Sequence, residues 1–361
     1  MSGCNFTMPA EFDRHSATVM IWPERPGSWG NDRAEAEKAF LEIISAIAAD
    51  ETVYLCCTAG GYSRAEVKTR GIGNVRLMRI DADDSWARDT SAIFVRDKDG
   101  HIRGTSWKFN AWGGLYEDCE HDNALAGRIC DALGYDCRII DDFVLEGGSI
   151  HSDGEGTLLV TECCLLNPNR NPGKNRREIE EKLCTELGAS KVIWLPYGIF
   201  NDETDGHVDN ICAFVAPAEV ILAWSDNKSD PQYALSAACL EVLEHSTDAK
   251  GRPFTVHKLP VPDFPVCITS DDCRNLSPAD GEAERTVGER LAASYVNFYF
   301  TNKSVILPQF GGENSKSDKR AAEIIGSICK GRKTFPVYSR PVLVGGGNIH
   351  CITSQIPYGS R

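Results

Sequence analysis

Short apolar runs alternate with amphipathic helical patterns along the whole chain, and this alternation constrains the fold more than any other feature. Runs at residues 17–22, 53–57, 91–95, 157–160, 192–195, 220–224, 304–307 and 341–344 have the length and the β-branched or aromatic content of buried strands. Between them, residues 32–48, 121–133, 176–187, 233–243, 284–298 and 319–330 carry helical periodicity. Strands alternating with helices from end to end predict an α/β fold. No low-complexity linker interrupts the 361 residues, so a single domain over residues 1–361 is expected.

Charge and composition exclude several classes of function. The chain has 38 Lys and Arg against 52 Asp and Glu, a net −14. It has no surplus of cations to displace phosphate counterions, so no nucleic-acid partner is expected. The same field suits a pocket for a small cation. The best membrane candidate, residues 210–224, is too short and carries Pro217 and Glu219, so no membrane partner is expected either. Residues 1–25 mix acids, His and Pro where a leader would be basic and then apolar, so a cytoplasmic location is expected. The 15 cysteines include no C-x-x-C, which argues against structural zinc; in a reducing compartment most of them read as small hydrophobes.

Two internal echoes suggest a chain built of similar modules around an axis. Gly147-Gly148-Ser149-Ile150-His151 matches Gly346-Gly347-Asn348-Ile349-His350 at Gly-Gly-x-Ile-His, and Trp112-Gly113-Gly114 matches Phe310-Gly311-Gly312 in pattern.

Four local groupings carry chemistry. Asp205-Gly206-His207-Val208-Asp209-Asn210 enters an apolar run, and on a strand His207 and Asp209 would share a face. A histidine among carboxylates suits an acid and base acting in turn. An isolated His-x-Asp, however, is more often a solvated loop. Asp83-Asp84-Ser85-Trp86-Ala87-Arg88-Asp89 sets carboxylates beside an aromatic ring, which suits a planar cation as well as an ordinary Asx turn. Cys351 follows Gly345-Gly346-Gly347, glycines that admit a ligand close to the backbone, and it stands at a bend that would present a thiol. Glu146, at the end of an apolar run, could orient a catalytic imidazole.

Together these groupings resemble one family, the agmatine deiminases of the guanidino-group-modifying (pentein) superfamily, of the bacterial peptidylarginine-deiminase type. The resemblance covers nearly the whole chain, from Met8-Pro9-Ala10-Glu11-Phe12 through Phe109-Asn110-Ala111-Trp112-Gly113-Gly114 and Leu166-Asn167-Pro168-Asn169-Arg170-Asn171-Pro172 to Gly347-Asn348-Ile349-His350-Cys351. It implies a five-bladed α/β propeller of ββαβ modules with the active site on its axis. It also implies hydrolysis of agmatine to N-carbamoylputrescine and ammonia without metal or organic cofactor, and a homo-oligomer. Position by position, Cys351 resembles the nucleophile that forms an S-alkylthiouronium, and His207 the general acid and base. Asp89 and Asp209 resemble the pair gripping the guanidinium, and Glu146 the acid that orients the histidine.

Two carboxylates would hold the planar group in register for attack, and the bound cation would itself lower the thiol pKa. Gly346 and Gly347 would admit backbone N–H groups near the reacting centre. The remainder of the pocket is expected from Trp86 and Trp112 along the methylene chain, with Asp83 and Glu203 among the acids that favour an amine-ended cation. Arg88 is expected to bridge carboxylates within its own loop. A deiminase of free or peptide C-terminal arginine is the nearest rival, followed by an amidinotransferase, then a binding protein of the same fold.

Overall fold

The computed structural model describes residues 6–279 and 282–361. It is an α/β fold of five separate sheets, none closed on itself among the described residues, and each is organised in the same way. An antiparallel pair of strands is followed by a helix that returns the chain to a third strand parallel to the second. In the first sheet Ile93–Asp97 and Ile102–Lys108 form the antiparallel pair, Glu120–Leu133 crosses over, and Asp136–Val144 completes the unit. The second uses Ile150–Ser152, Thr157–Thr161, the helix Arg176–Leu187 and Lys191–Leu195. The third uses Cys212–Ala216, Glu219–Trp224, Pro231–Glu244 and Thr255–Pro260, and the fourth Tyr299–Phe300, Ser304–Gln309, Ser315–Ile328 and Lys333–Tyr338. The fifth joins the two ends of the chain: Ser354–Pro357 pairs antiparallel with His15–Ile21, which then leads through Ala34–Ala48 to Thr52–Cys57.

Local chemistry explains the elements that the sequence shows clearly. The strand Thr157–Thr161 is buried along its whole length, as a central strand covered on both faces must be. Helix Arg176–Leu187 starts at a capping box, in which the Asn175 side chain accepts from the Glu178 N–H while the Glu178 carboxylate accepts from the Asn175 N–H. It stops at Gly188, whose φ of 67° most residues avoid.

Two expected elements are absent. Residues 284–298 form no helix. Residues 291–300 are buried without interruption, so the apolar spacing there is not one face of a helix, and the backbone bonds instead to a neighbouring segment (Ile268 N–H to Glu289 O, 2.9 Å; Leu291 N–H to Val266 O, 2.8 Å). Residues 341–344 form no strand. Arg340–Leu343 is a helical turn with Pro341 in its first turn, where the missing N–H costs nothing. Outer strands such as Val75–Arg79 and Lys333–Tyr338 went unseen because half-exposed edge strands mix charged and apolar residues. No helix among the described residues is long and apolar enough to cross a membrane.

Candidate active site

The stretch leading into the first strand of each unit runs to the same place. Asp89 lies on the turn Ala87–Thr90 before Ile93, and Glu146 precedes the turn Gly147–Ser149 before Ile150. His207 and Asp209 flank the start of Val208–Ile211 before Cys212. Asn297 precedes Tyr299–Phe300, and Cys351 precedes Ser354–Pro357. The pairing of His207 and Asp209 on a strand is thereby corrected: a helical turn, with His207 at its N-cap, brings them to the site.

All these side chains are buried, and they form a connected set. The Cys351 Sγ lies 3.8 Å from Asp209 Oδ2 and receives an N–H from Asn297 Nδ2 at 3.2 Å. Asp89 accepts from the Gly148 N–H (2.8 Å) and from the Trp112 indole N–H (2.9 Å). His207 stands between two carboxylates, Nδ1 3.9 Å from Asp89 Oδ2 and Nε2 4.0 Å from Glu146 Oε2. Glu146 is fixed from behind by Arg170, whose Nε donates to Oε1 at 2.6 Å while Nη1 holds Asp205 at 2.7 Å. Glu146 Oε2 and His207 Nε2 make no hydrogen bond but face each other at 4.0 Å, and Asp209 Oδ1 also makes none. Buried polar atoms without a hydrogen bond are uncommon.

The charges follow from this packing. Burial opposes a charge on His207, but Asp89, Glu146, Asp209 and Asp202 outweigh it and raise its pKa. Burial raises Asp89, only partly offset by His207. Burial also disfavours the charged form of Asp209, yet its hydrogen bond to His350 and the positive charges nearby leave its pKa lowered. The Cys351 thiol is pushed far up by burial and by Asp209 and Asp89. These surroundings favour the charged form of the imidazole and the uncharged form of the thiol.

A recess with about 380 Å³ of empty space, open solvent included, reaches this set. Trp86, Asp89, Trp112, Glu203, Gly346, Gly347 and Cys351 are on its wall. Trp112 is held in left-handed backbone (φ 52°), a strained conformation of the kind found at functional sites. Gly347 has to be glycine, because a Cβ there would lie 2.6 Å from the Trp86 ring and 3.0 Å from Cys351 Sγ. At the mouth Glu203 is paired with Arg285, which also reaches Glu289.

Two expectations change. Asp83 is not at the recess: its carboxylate accepts the His121 and Asp122 N–H groups at the start of the helix Glu120–Leu133. Arg88 does not serve its own loop but donates to Glu11 (3.0 Å) and Gln355 (2.7 Å). Asp84 likewise works structurally, accepting the indole N–H groups of Trp29 and Trp86. Sequence reasoning missed Asn297, Arg170 and Arg285. Asn297 lies in the segment read as a helix, and only the recurrence of the unit points to it.

Two buried donor groups are close enough to hold an ion, Glu11 with His151 and His350, and Glu146 with Cys164 and His207. Each already has an arginine on its carboxylate, Arg88 or Arg170, which makes them ion-pair clusters.

Gly148 packs against the centre of the site. A Cβ there would lie 2.6 Å from His207 Nδ1, 2.9 Å from Asp209 Oδ2 and 3.0 Å from Asp89 Oδ1. Gly148→Ala is expected to displace all three and to lower kcat/KM by about 100-fold or more, since ångström misplacements cost that much. Steady-state kinetics on the folded variant would check this, and near wild-type turnover would contradict the crowding.

The family described as Porphyromonas-type peptidyl-arginine deiminase matches residues 7–357. A protein of Selenomonas ruminantium is 52% identical over 98% of this chain and 96% of its own length. The agmatine deiminase of Pseudomonas aeruginosa (strain LESB58) is 46% identical over 98% of this chain and 95% of its own. Among solved structures, the agmatine deiminase of Enterococcus faecalis aligns with a TM-score of 0.93 at 38% identity, covering 98% of this chain and 96% of that one.

Proposed function

The chain belongs to the Porphyromonas-type peptidyl-arginine deiminase family, and from that premise we infer that it hydrolyses agmatine to N-carbamoylputrescine and ammonia. The observation that carries the chemistry is the buried thiol of Cys351 beside Asp209, with His207 set between Asp89 and Glu146.

A guanidinium is protonated at any ordinary pH, so its carbon is a poor electrophile until its charge is held. Asp89 and Asp209 hold it. The bound cation offsets the same two carboxylates that keep the Cys351 thiol protonated, so the thiol gives its proton to solvent and becomes a thiolate as substrate arrives. Asn297 donates an N–H to the sulfur and stabilises its charge. The thiolate adds to the guanidinium carbon, and His207 gives its proton to the departing nitrogen. Ammonia leaves an S-alkylthiouronium on Cys351. The neutral imidazole then takes a proton from water, hydroxide adds to the same carbon, and the adduct collapses with its hydroxyl proton passing to the leaving sulfur, releasing the product and restoring the thiol. Glu146, held by Arg170, orients the imidazole.

The five units are the blades of a pseudo-symmetric five-bladed propeller, one catalytic domain with the site on its axis. The fivefold recurrence of antiparallel pair, helix and parallel strand supports this.

Substrate choice is decided at the mouth. Glu203 favours an ammonium, and the charge of Arg285 is offset there by two carboxylates, Glu203 and Glu289, both met through Nη1, which weakens it as a clamp for a further carboxylate. Ammonia release should therefore be seen with agmatine and fall about 1,000-fold in kcat/KM with L-arginine, a ~4 kcal/mol penalty for an unpaired carboxylate beside acids. A peptide ending in arginine should behave like L-arginine. Release mainly from an arginine substrate would transfer the chemistry to the rival deiminase.

A further inference from the structure

His350, the residue before the nucleophile, belongs to the Gly-Gly-x-Ile-His echo and has no part in the steps above. It is buried, with Nδ1 2.7 Å from Asp209 Oδ2 and Nε2 2.7 Å from Glu11 Oε2. Ionised carboxylates only accept, and a neutral imidazole has only one N–H. With a neutral ring, one of the two contacts would set acceptor against acceptor at hydrogen-bond distance. The additional proton is poorly placed on Glu11, because Oε2 also takes Arg88 Nη2 at 3.0 Å and Oε1 takes the Phe300 N–H at 3.0 Å. Placed on Asp209, it would neutralise the stronger acid in favour of the weaker.

We propose that His350 is a permanently charged positioning residue, an imidazolium clamped between Glu11 and Asp209 that keeps Asp209 ionised with Oδ1 left for the guanidinium. This rests on the reading of Asp209 as a guanidinium ligand. Arg88, Glu11, His350 and Asp209 form one buried chain of alternating sign, with no net charge to desolvate. Its four members come from four separated blocks of the sequence.

The other groups facing this chain do not compete with it. His151 stacks on His350 with centroids 6.0 Å apart and planes at 21°, and burial lowers its pKa to about 4, so it stays neutral. Cys351 faces Asp209 as a neutral thiol. Asp89, His207 and Glu146 are the remaining charges on the Asp209 side. For His350 itself, burial and Arg88 oppose the charge, and Glu11 and Asp209 outweigh them.

The first test is NMR of the full-length protein carrying ¹⁵N- and ¹³C-labelled histidine. The His350 ring, identified as the resonance that Glu11→Gln displaces, is expected to show imidazolium shifts at pH 8, where an unperturbed imidazole is neutral. A ring that is neutral at pH 8 would overturn the proposal, and this reading does not depend on the protein's substrate.

The second test is the pH profile with agmatine. In His350→Gln, Asp209 loses its cation and its pKa rises, so it titrates alongside Asp89. The acid limb of kcat/KM should steepen and move up by roughly 0.4 pH unit, and KM should rise about 100-fold, with a smaller effect on kcat. Glu11→Gln should move the limb in the same direction by less. A merely structural role would lower the melting temperature and leave the limb in place, and an unmoved limb in a folded variant would overturn the proposal.

Discussion

Replacing Cys351 with serine is expected to preserve agmatine binding to within about tenfold while ammonia release falls by about five to six orders of magnitude, the scale seen when a covalent nucleophile is removed. Serine fails here for a reason specific to this site. Cys351 is buried beside Asp209 and Asp89, which hold even a thiol neutral until a cation binds. An alcohol is far harder to ionise, and the carboxylates around His207 raise its pKa, which makes it a poorer base for a hydroxyl. On the proposed reading Asp89 and Asp209 hold the guanidinium without the sulfur, so binding should survive. Calorimetry with agmatine and a coupled ammonia assay would measure the two quantities separately. Turnover above about one-thousandth of wild type would remove Cys351 from the nucleophile's place.

Asp209→Asn should weaken binding and slow chemistry together, with kcat/KM falling by about 10³–10⁴, or ~4–5 kcal/mol, the cost of breaking a buried charge pair. The amide has the shape of the carboxylate and can still accept from His350, so the loss reports charge more than packing. The guanidinium would lose one of its two counter-ions, and the thiol would lose the substrate geometry that ionises it. The pH dependence separates the two aspartates. Asp209 is held below the usual carboxylate range, so its contribution is lost only as pH falls through that lowered value. Asp89 is raised, so the acid limb of wild-type kcat/KM is expected to follow Asp89 and to persist in Asp209→Asn. Kinetics within tenfold of wild type would show that Asp209 does not carry the guanidinium.

The central strands and crossover helices were readable because their burial is a property of contiguous residues. The helix Arg176–Leu187 was bounded by its cap and its glycine, and Thr157–Thr161 by its unbroken apolar run. Edge strands were not readable, because one of their faces meets solvent. Residues 284–298 misled for the opposite reason: a segment buried on every side imitates any period. The Gly-Gly-x-Ile-His echo was a true signal, since it brings His151 and His350 into a stack, but nothing local says which of the two is charged.

The sequence by itself determined the alternating strand and helix plan and the candidate nucleophile, histidine and acids, because residue type and spacing are local properties. Residue type and spacing did not separate Asp89 from Asp83 and Asp84, or Asp209 from Asp202 and Asp205; only the family resemblance singled out Asp89 and Asp209. Tertiary structure gives Asp83 and Asp84 their own partners and brings Asn297, Arg170, Glu11 and His350 beside the proposed site. A carboxylate becomes a ligand, a helix cap or an ion-pair partner according to what surrounds it. Here the surroundings are five stretches, separated by tens to hundreds of residues, whose burial and mutual fields exist only once the five units have packed together.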